Sequence, residues 1–221
     1  MSDAVVPTHK RPPPWRNPWV LGFVVGAAAL TILPFLQRAS LRAPEPITSV
    51  GAFTLTDERG QAFSSVDLKG KVWVANFFFA RCPSICPAMQ AETAKILPQV
   101  DDLGDDAGET PIVLVSITVD PEHDTPEVLD AYARKLQAPG GRWKFLTGDR
   151  AAIEELAVKR FLLGMGDRET VSGDVYDIVH SGKLALVDQN GDVRGYWSAD
   201  EGGRTALVSA ARLLAKHGPN P

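Results

Sequence analysis

The sequence predicts a single α/β domain, a central sheet flanked by helices, carried behind one N-terminal apolar helix. Three observations lead there. Val72–Phe79 and Ile112–Val119 are nearly continuous runs of apolar, β-favouring residues, as strands buried on both faces require. Stretches with helical spacing alternate with them, the pattern of an α/β fold. Trp19–Leu36 carries no charge over eighteen residues, close to the roughly 20 that a helix needs to cross hydrocarbon. At 221 residues the chain is long enough for one well-cored domain and a tail. A net charge of −4 without a long Lys/Arg run excludes nucleic acid as a partner.

Residues 1–17, with Pro7 and Pro12 to Pro14, lack apolar periodicity and read as a cytoplasmic tail. Residues 18–37 read as a transmembrane anchor; the long leader and the absence of an Ala-x-Ala motif argue against a cleaved signal peptide. Residues 38–46, with Pro44 and Pro46, form a stiff linker, and 47–217 form the domain. Basic residues are nearly balanced across the apolar span, Lys10, Arg11 and Arg16 against Arg38 and Arg42. A cysteine pair facing an oxidising compartment therefore sets the expected orientation: a bacterial inner membrane, with the domain on the periplasmic side.

Within the domain, Phe53–Thr56 and Gln61–Phe63 flank the Asp57–Gly60 turn as a hairpin. Met89–Val100 has helical spacing between the two central strands. Thr125, Pro126 and Glu127 give a cap, a first-turn proline and an early acid before a helix over Val128–Leu136. Trp143–Leu146 makes a third strand, and Asp149 caps a helix through Phe161. Lys183–Val187 and Asp192–Trp197 bracket an Asn190-Gly191 turn, and a helix over Gly203–Lys216 closes the chain. Trp143, Trp197 and Phe77 to Phe79 read as core packing.

Cys82 and Cys86 are the two cysteines of the chain, and a bridge between them would close a loop too small to be a strong staple. They stand at the end of a buried strand and ahead of a helix, where α/β folds place function. Each precedes a proline, which disfavours helical dihedrals and puts both on a loop. A helix starting near Pro87 would aim its positive end at the sulfurs, with Arg81 beside them, so thiolate is expected to be favoured. Such a pair can exchange disulfides, form a static one, or bind a soft ion; spacing alone does not choose. Of four histidines, His9 and His217 lie near the termini. His123, in Val119-Asp-Pro-Glu-His-Asp-Thr-Pro126, reads as a solvated turn residue, and the acids Asp120, Glu122 and Asp124 read as a solvated loop with a helix cap. His180 stands directly before a predicted strand.

The ordered set Cys-Pro-x-x-Cys-Pro at 82–87, Val-Asp-Pro-Glu-x-Asp-Thr-Pro-Glu at 119–127, and His180-Ser181 before a strand and an Asn-Gly turn resembles the Sco/SenC family over most of 47–217. The resemblance implies a thioredoxin-like fold. It also implies a copper ion held by Cys82, Cys86 and His180, used in assembling the copper centre of cytochrome c oxidase. The implied partner is the copper-bearing oxidase subunit or another periplasmic copper protein. Two thiolates and an imidazole suit Cu(I), whereas structural zinc takes four protein ligands. Many family members carry an acid just before the histidine and another between the cysteines; this chain has Val179 and Ser84. With Arg81 adjacent, that departure favours the alternative: a thiol-disulfide oxidoreductase, with Cys82 and Cys86 as its redox pair, that reduces a copper-receiving partner. Asp174 or Asp177 can supply the missing carboxylate if the loop folds back.

Overall fold

The computed structural model describes residues 18–39, 43–83, 85–104, 112–172 and 175–218; the side chains at 21, 33–39, 168–172, 175, 179 and 180 lie outside that description. The chain divides into two units between Arg42 and Ala43. The first holds α1 (Pro18–Ala39), a 22-residue helix over the expected anchor. Among the described residues no helix is long and apolar enough to cross a membrane.

The second unit is built on an eight-stranded sheet. Its strands are β1 (Thr48–Ser49), β2 (Thr54–Asp57), β3 (Ala62–Ser64), β4 (Val72–Phe78), β5 (Ile112–Thr118), β6 (Trp143–Thr147), β9 (Lys183–Val187) and β10 (Asp192–Ser198), in the order β1-β10-β9-β4-β5-β6-β2-β3. β4, β5 and β6 run parallel, and β9 joins β4 antiparallel. Every residue of β4 and β5 is buried, which is why both read as nearly continuous apolar runs rather than alternating ones. The helices are α2 (Cys86–Ala94), α3 (Pro126–Lys135), α4 (Arg150–Glu154, continued by a π-helical turn over Glu155–Arg160) and α5 (Glu201–His217).

Alternation along β4 sorts the layers. Trp73 and Phe77 meet Phe161 edge-on at 5.8 and 5.4 Å on one face. On the other, Phe78 meets Tyr132 of α3 at 5.3 Å, and Asn76 donates to Gln90 and Thr93 of α2 at 3.4 and 3.2 Å. α5 lies alongside α2, tied to it by Arg204 Nε on Glu92 at 2.9 Å. The β9–β10 turn is closed by Asp188, which accepts the N–H groups of Asn190 and Asp192 and pairs with buried Arg194 at 2.6 Å. Arg194 also donates to the Pro44 carbonyl, fastening the start of the domain.

The hairpins and parallel strands stand where the sequence places them. α2 does not: it begins at Cys86 and ends at Ala94, giving way to 3₁₀ turns over Leu97–Gln99 and Asp101–Leu103. Pro98 lacks the N–H an α-helix would need at that point, so a helix to Val100 is not formed. Thr125 occupies the N-cap of α3 without a side-chain cap bond, whereas Asp149 accepts from Ala152 N–H as expected. A further antiparallel ribbon, β7 (Met165–Ser172) with β8 (Val175–His180), forms a separate two-stranded sheet that the sequence did not signal.

Candidate metal and thiol centre

The site grows from the C-terminal ends of two neighbouring parallel strands. Phe78 of β4 pairs with Thr118 of β5, and Val119 N–H donates to the Phe78 carbonyl at 2.8 Å. The loop after β4, carrying Cys82, and the loop after β5, carrying Asp120 to Asp124, therefore emerge side by side.

Cys82 lies in the loop, its N–H on the Phe79 carbonyl at 3.2 Å. Cys86 is the first residue of α2, and its N–H points at Cys82 Sγ at 3.5 Å. That bond brings the two cysteines together at the helix start, and they are not joined in a disulfide. Around them Arg81, Pro83 and Pro87 are exposed, as is Ile85 at 46 %. Ser84 lies outside the described residues.

The thiolate expectation is corrected at Cys86. The residue is fully buried, and burial pushes its thiol far above the ordinary 9.0; the Phe79 backbone hydrogen bond opposes this, while Cys82 and the Asp177 charge reinforce it. Loss of hydration outweighs the helix dipole and leaves a neutral thiol. The Tyr132 hydroxyl is pushed up too, by burial first and then by Cys86, Cys82 and Asp124, which brings α3 to the edge of the site.

The loop after β5 is not solvated. Asp120 and Asp124 are completely buried; Glu122 is exposed. Asp124 Oδ2 accepts Ala80 N–H at 2.9 Å and the Thr118 hydroxyl at 2.5 Å, and Thr118 Oγ1 in turn accepts Asp120 N–H at 3.0 Å. Burial raises the Asp124 carboxyl, as does the Asp120 charge, against the Thr118 and Ala80 hydrogen bonds and His123. Asp120 takes the Tyr176 hydroxyl and lies 3.4 Å from His123 Nδ1. His123 is half-buried beside the Tyr176 ring at 5.5 Å, not a solvated turn residue. Asp120, Glu122 and His123 offer ligand atoms within 4.8 Å of one another. Asp120 is committed to Tyr176, however, and acidic groups cluster at loops without binding an ion.

β8 reaches over the cysteine loop. Tyr176 stacks on Phe79 at 5.9 Å and 13°, and Asp177 is near enough to act on the Cys86 charge. Gly182 also lies against the loop: a Cβ there would sit 2.6 Å from Ile85 Cδ1, the free end of an exposed side chain. His180 is the last residue of β8, paired with Met165; its side chain, with that of Val179, lies outside the described residues, as does Asp174. The backbone from Tyr176 to Gly182 thus borders the loop from Phe79 to Ile85. Tyr176 escaped the sequence reading; its signal was a buried aromatic four residues before His180 on a strand that polar β7 concealed.

The sequence profile of the SCO1/SenC family matches residues 42–215. A SCO1 protein homolog of Bacillus subtilis is 32 % identical over 145 residues, covering 65 % of this chain and 70 % of the relative. The crystal structure of a SCO1/SenC family lipoprotein from Bacillus anthracis superposes with a TM-score of 0.68 at 29 % identity, over 79 % of this chain and all but 1 % of the other's (99 % covered). Yeast Sco1 with copper bound superposes with a TM-score of 0.59 at 25 % identity, over 73 % of this chain and 87 % of that one.

Proposed function

The chain belongs to the SCO1/SenC family, and from that premise we propose that it is a membrane-anchored copper-binding metallochaperone serving the copper centre of cytochrome c oxidase. The observation that carries the reading is the dithiol: Cys86 N–H on Cys82 Sγ at 3.5 Å, at the start of α2 and the C-terminal end of β4. Two close sulfurs are a soft donor pair that fits Cu(I), and copper-bound yeast Sco1 shares the fold. His180 is the third ligand in this reading, supported by the run of β8 backbone past the cysteine loop. A copper ion when bound supplies a transferable cargo and draws the thiols to thiolates. The chain's own part is to bring Cys82 and Cys86 together, release the Cys86 proton, and leave the exposed rim of Pro83, Ile85 and Pro87 for a partner. Three protein ligands leave an open position for handover. Asp177 replaces the carboxylate that Val179 and Ser84 do not supply.

The uncharged Trp19–Leu36 stretch is the anchor in this account on the strength of its sequence, the described residues of α1 falling short of a membrane span by themselves, with residues 1–17 in the cytoplasm and the domain in the periplasm of a bacterial inner membrane. A thiol-disulfide oxidoreductase is the second reading, favoured by the cysteine contact and by the proton-bearing Cys86, which is suited to be the buried, resolving thiol behind Cys82. Cu(I) titration of the reduced protein, with Cys86→Ser and His180→Ala alongside, tests the proposal. One ion per chain, weakened by either substitution, supports it. No retained copper in a protein that still exchanges with glutathione would replace it with the reductase.

A further inference from the structure

β7 and β8 form a ribbon of their own, outside the eight-stranded sheet. Their place over the dithiol is therefore not set by a shared ladder with that sheet; the short link from His180 to β9 tethers one end, and side-chain contacts add to it. Two of these contacts meet at Tyr176. Its ring stacks on Phe79, three residues before Cys82, and its hydroxyl donates to Asp120, a carboxylate with no solvent exposure. Asp120 sits in the loop that also holds Ala80 N–H through Asp124, so one loop grips both the cysteine segment and β8. Positions 176, 178 and 180 share one parity along β8, and Tyr176 and Ile178 are both buried.

We infer that Tyr176 is a positioning residue: its hydroxyl, fixed on buried Asp120, sets where β8, and with it His180, stands against Cys82 and Cys86. The inference rests on the copper reading above. A phenol on a buried carboxylate is a strong, directional tie, since losing the donor leaves a buried acceptor short of a partner. Outer groups of this kind typically govern metal affinity while touching no metal.

Tyr176→Phe tests it, because the substitution keeps the ring on Phe79 and removes only the hydroxyl. In the full chain, Cu(I) affinity is read by competition with a chromophoric chelator, dithiol reactivity by exchange with glutathione, and β8 order by amide hydrogen exchange of the metal-free protein. Tyr176→Phe is expected to weaken Cu(I) binding about 10- to 100-fold with glutathione exchange altered less than about twofold. Amide exchange over 175–182 should quicken. Asp120→Asn, which still accepts the phenol, should restore most of the affinity that Asp120→Ala loses. In a His180→Ala background Tyr176→Phe should cost nothing further, because the tie acts through His180. Equal losses in both backgrounds, unchanged copper affinity, or glutathione exchange falling in step with copper would each overturn the assignment. If the unsubstituted protein and Cys86→Ser bind copper alike, the copper reading itself has failed. Amide exchange then decides the tie alone, and unchanged exchange in Tyr176→Phe refutes it.

Discussion

Copper loading should be strongly pH-dependent, and the buried Cys86 thiol sets the least slope it can have. A thiol at the ordinary 9.0 is about 1 % ionised at pH 7, and burial holds Cys86 above that value. The metal takes a thiolate, so each binding event must expel the Cys86 proton. Apparent affinity then rises about tenfold, or 1.36 kcal/mol, per pH unit for that one proton, and about 100-fold between pH 6 and 8. Competition titration of the full chain across that range measures the slope directly. The same shift governs the metal-free fold. A pKa raised in the folded state contributes stability that is complete below 9.0 and is lost as pH rises beyond it, so the metal-free domain should weaken on the alkaline side of 9.0. Cys86→Ser should flatten both profiles. An affinity independent of pH between 6 and 8 would refute the reasoning, because it would require a preformed thiolate at Cys86.

Three further outcomes follow from the packing. Asp188→Ala would strand Arg194, which is only 4 % exposed, and should cost about 3–5 kcal/mol, or a fall in Tm of about 6–20 °C for a domain of this size; thermal unfolding measures it, and Asp188→Leu with Arg194→Met should recover much of the loss. Gly203→Ala would set a Cβ 2.1 Å from the Ser198 carbonyl oxygen, a backbone atom that cannot swing aside, and should cost about 1–3 kcal/mol of stability, read as a lower urea midpoint with an unchanged m-value. Burial alone would raise the Asp57 carboxyl, but hydrogen bonds from Gln61, Lys144 and Arg59 outweigh it and hold the group below its ordinary 3.8. Its stabilisation is therefore present above 3.8 and lost as pH falls below. Asp57→Asn should be about 1–3 kcal/mol less stable at pH 6 and lose less on acidification, as read by urea unfolding at pH 6 and pH 3.

Much of the fold was legible because its centre is simple. Strands buried on both faces announce themselves as apolar runs, and Val72–Phe79 and Ile112–Val119 did. The proline after Cys82 located the loop at the strand end, but Cys86, read as a loop residue on the same ground, is the first residue of α2, because Pro87 falls in the first turn, where a missing N–H costs nothing. What failed did so for want of tertiary information. The acids of the Asp120–Asp124 loop read as solvated because nothing local says that Thr118, Ala80 and Tyr176 will surround two of them. Cys86 read as a thiolate because a helix start is visible in sequence while complete burial is not. The β7–β8 ribbon hid because Met165–Ser172 is mostly polar and the pair forms a sheet of its own outside the main one. Pro98 did announce the end of α2, and periodicity alone overran it.

Copper K-edge X-ray absorption on the Cu(I)-loaded chain tests the central claim most directly, because it counts the ligand atoms themselves. The account predicts two sulfur scatterers and one imidazole nitrogen, with the nitrogen lost in His180→Ala and one sulfur lost in Cys86→Ser. A shell of oxygen and nitrogen alone, or one unchanged by either substitution, would contradict it and place the ion away from the dithiol.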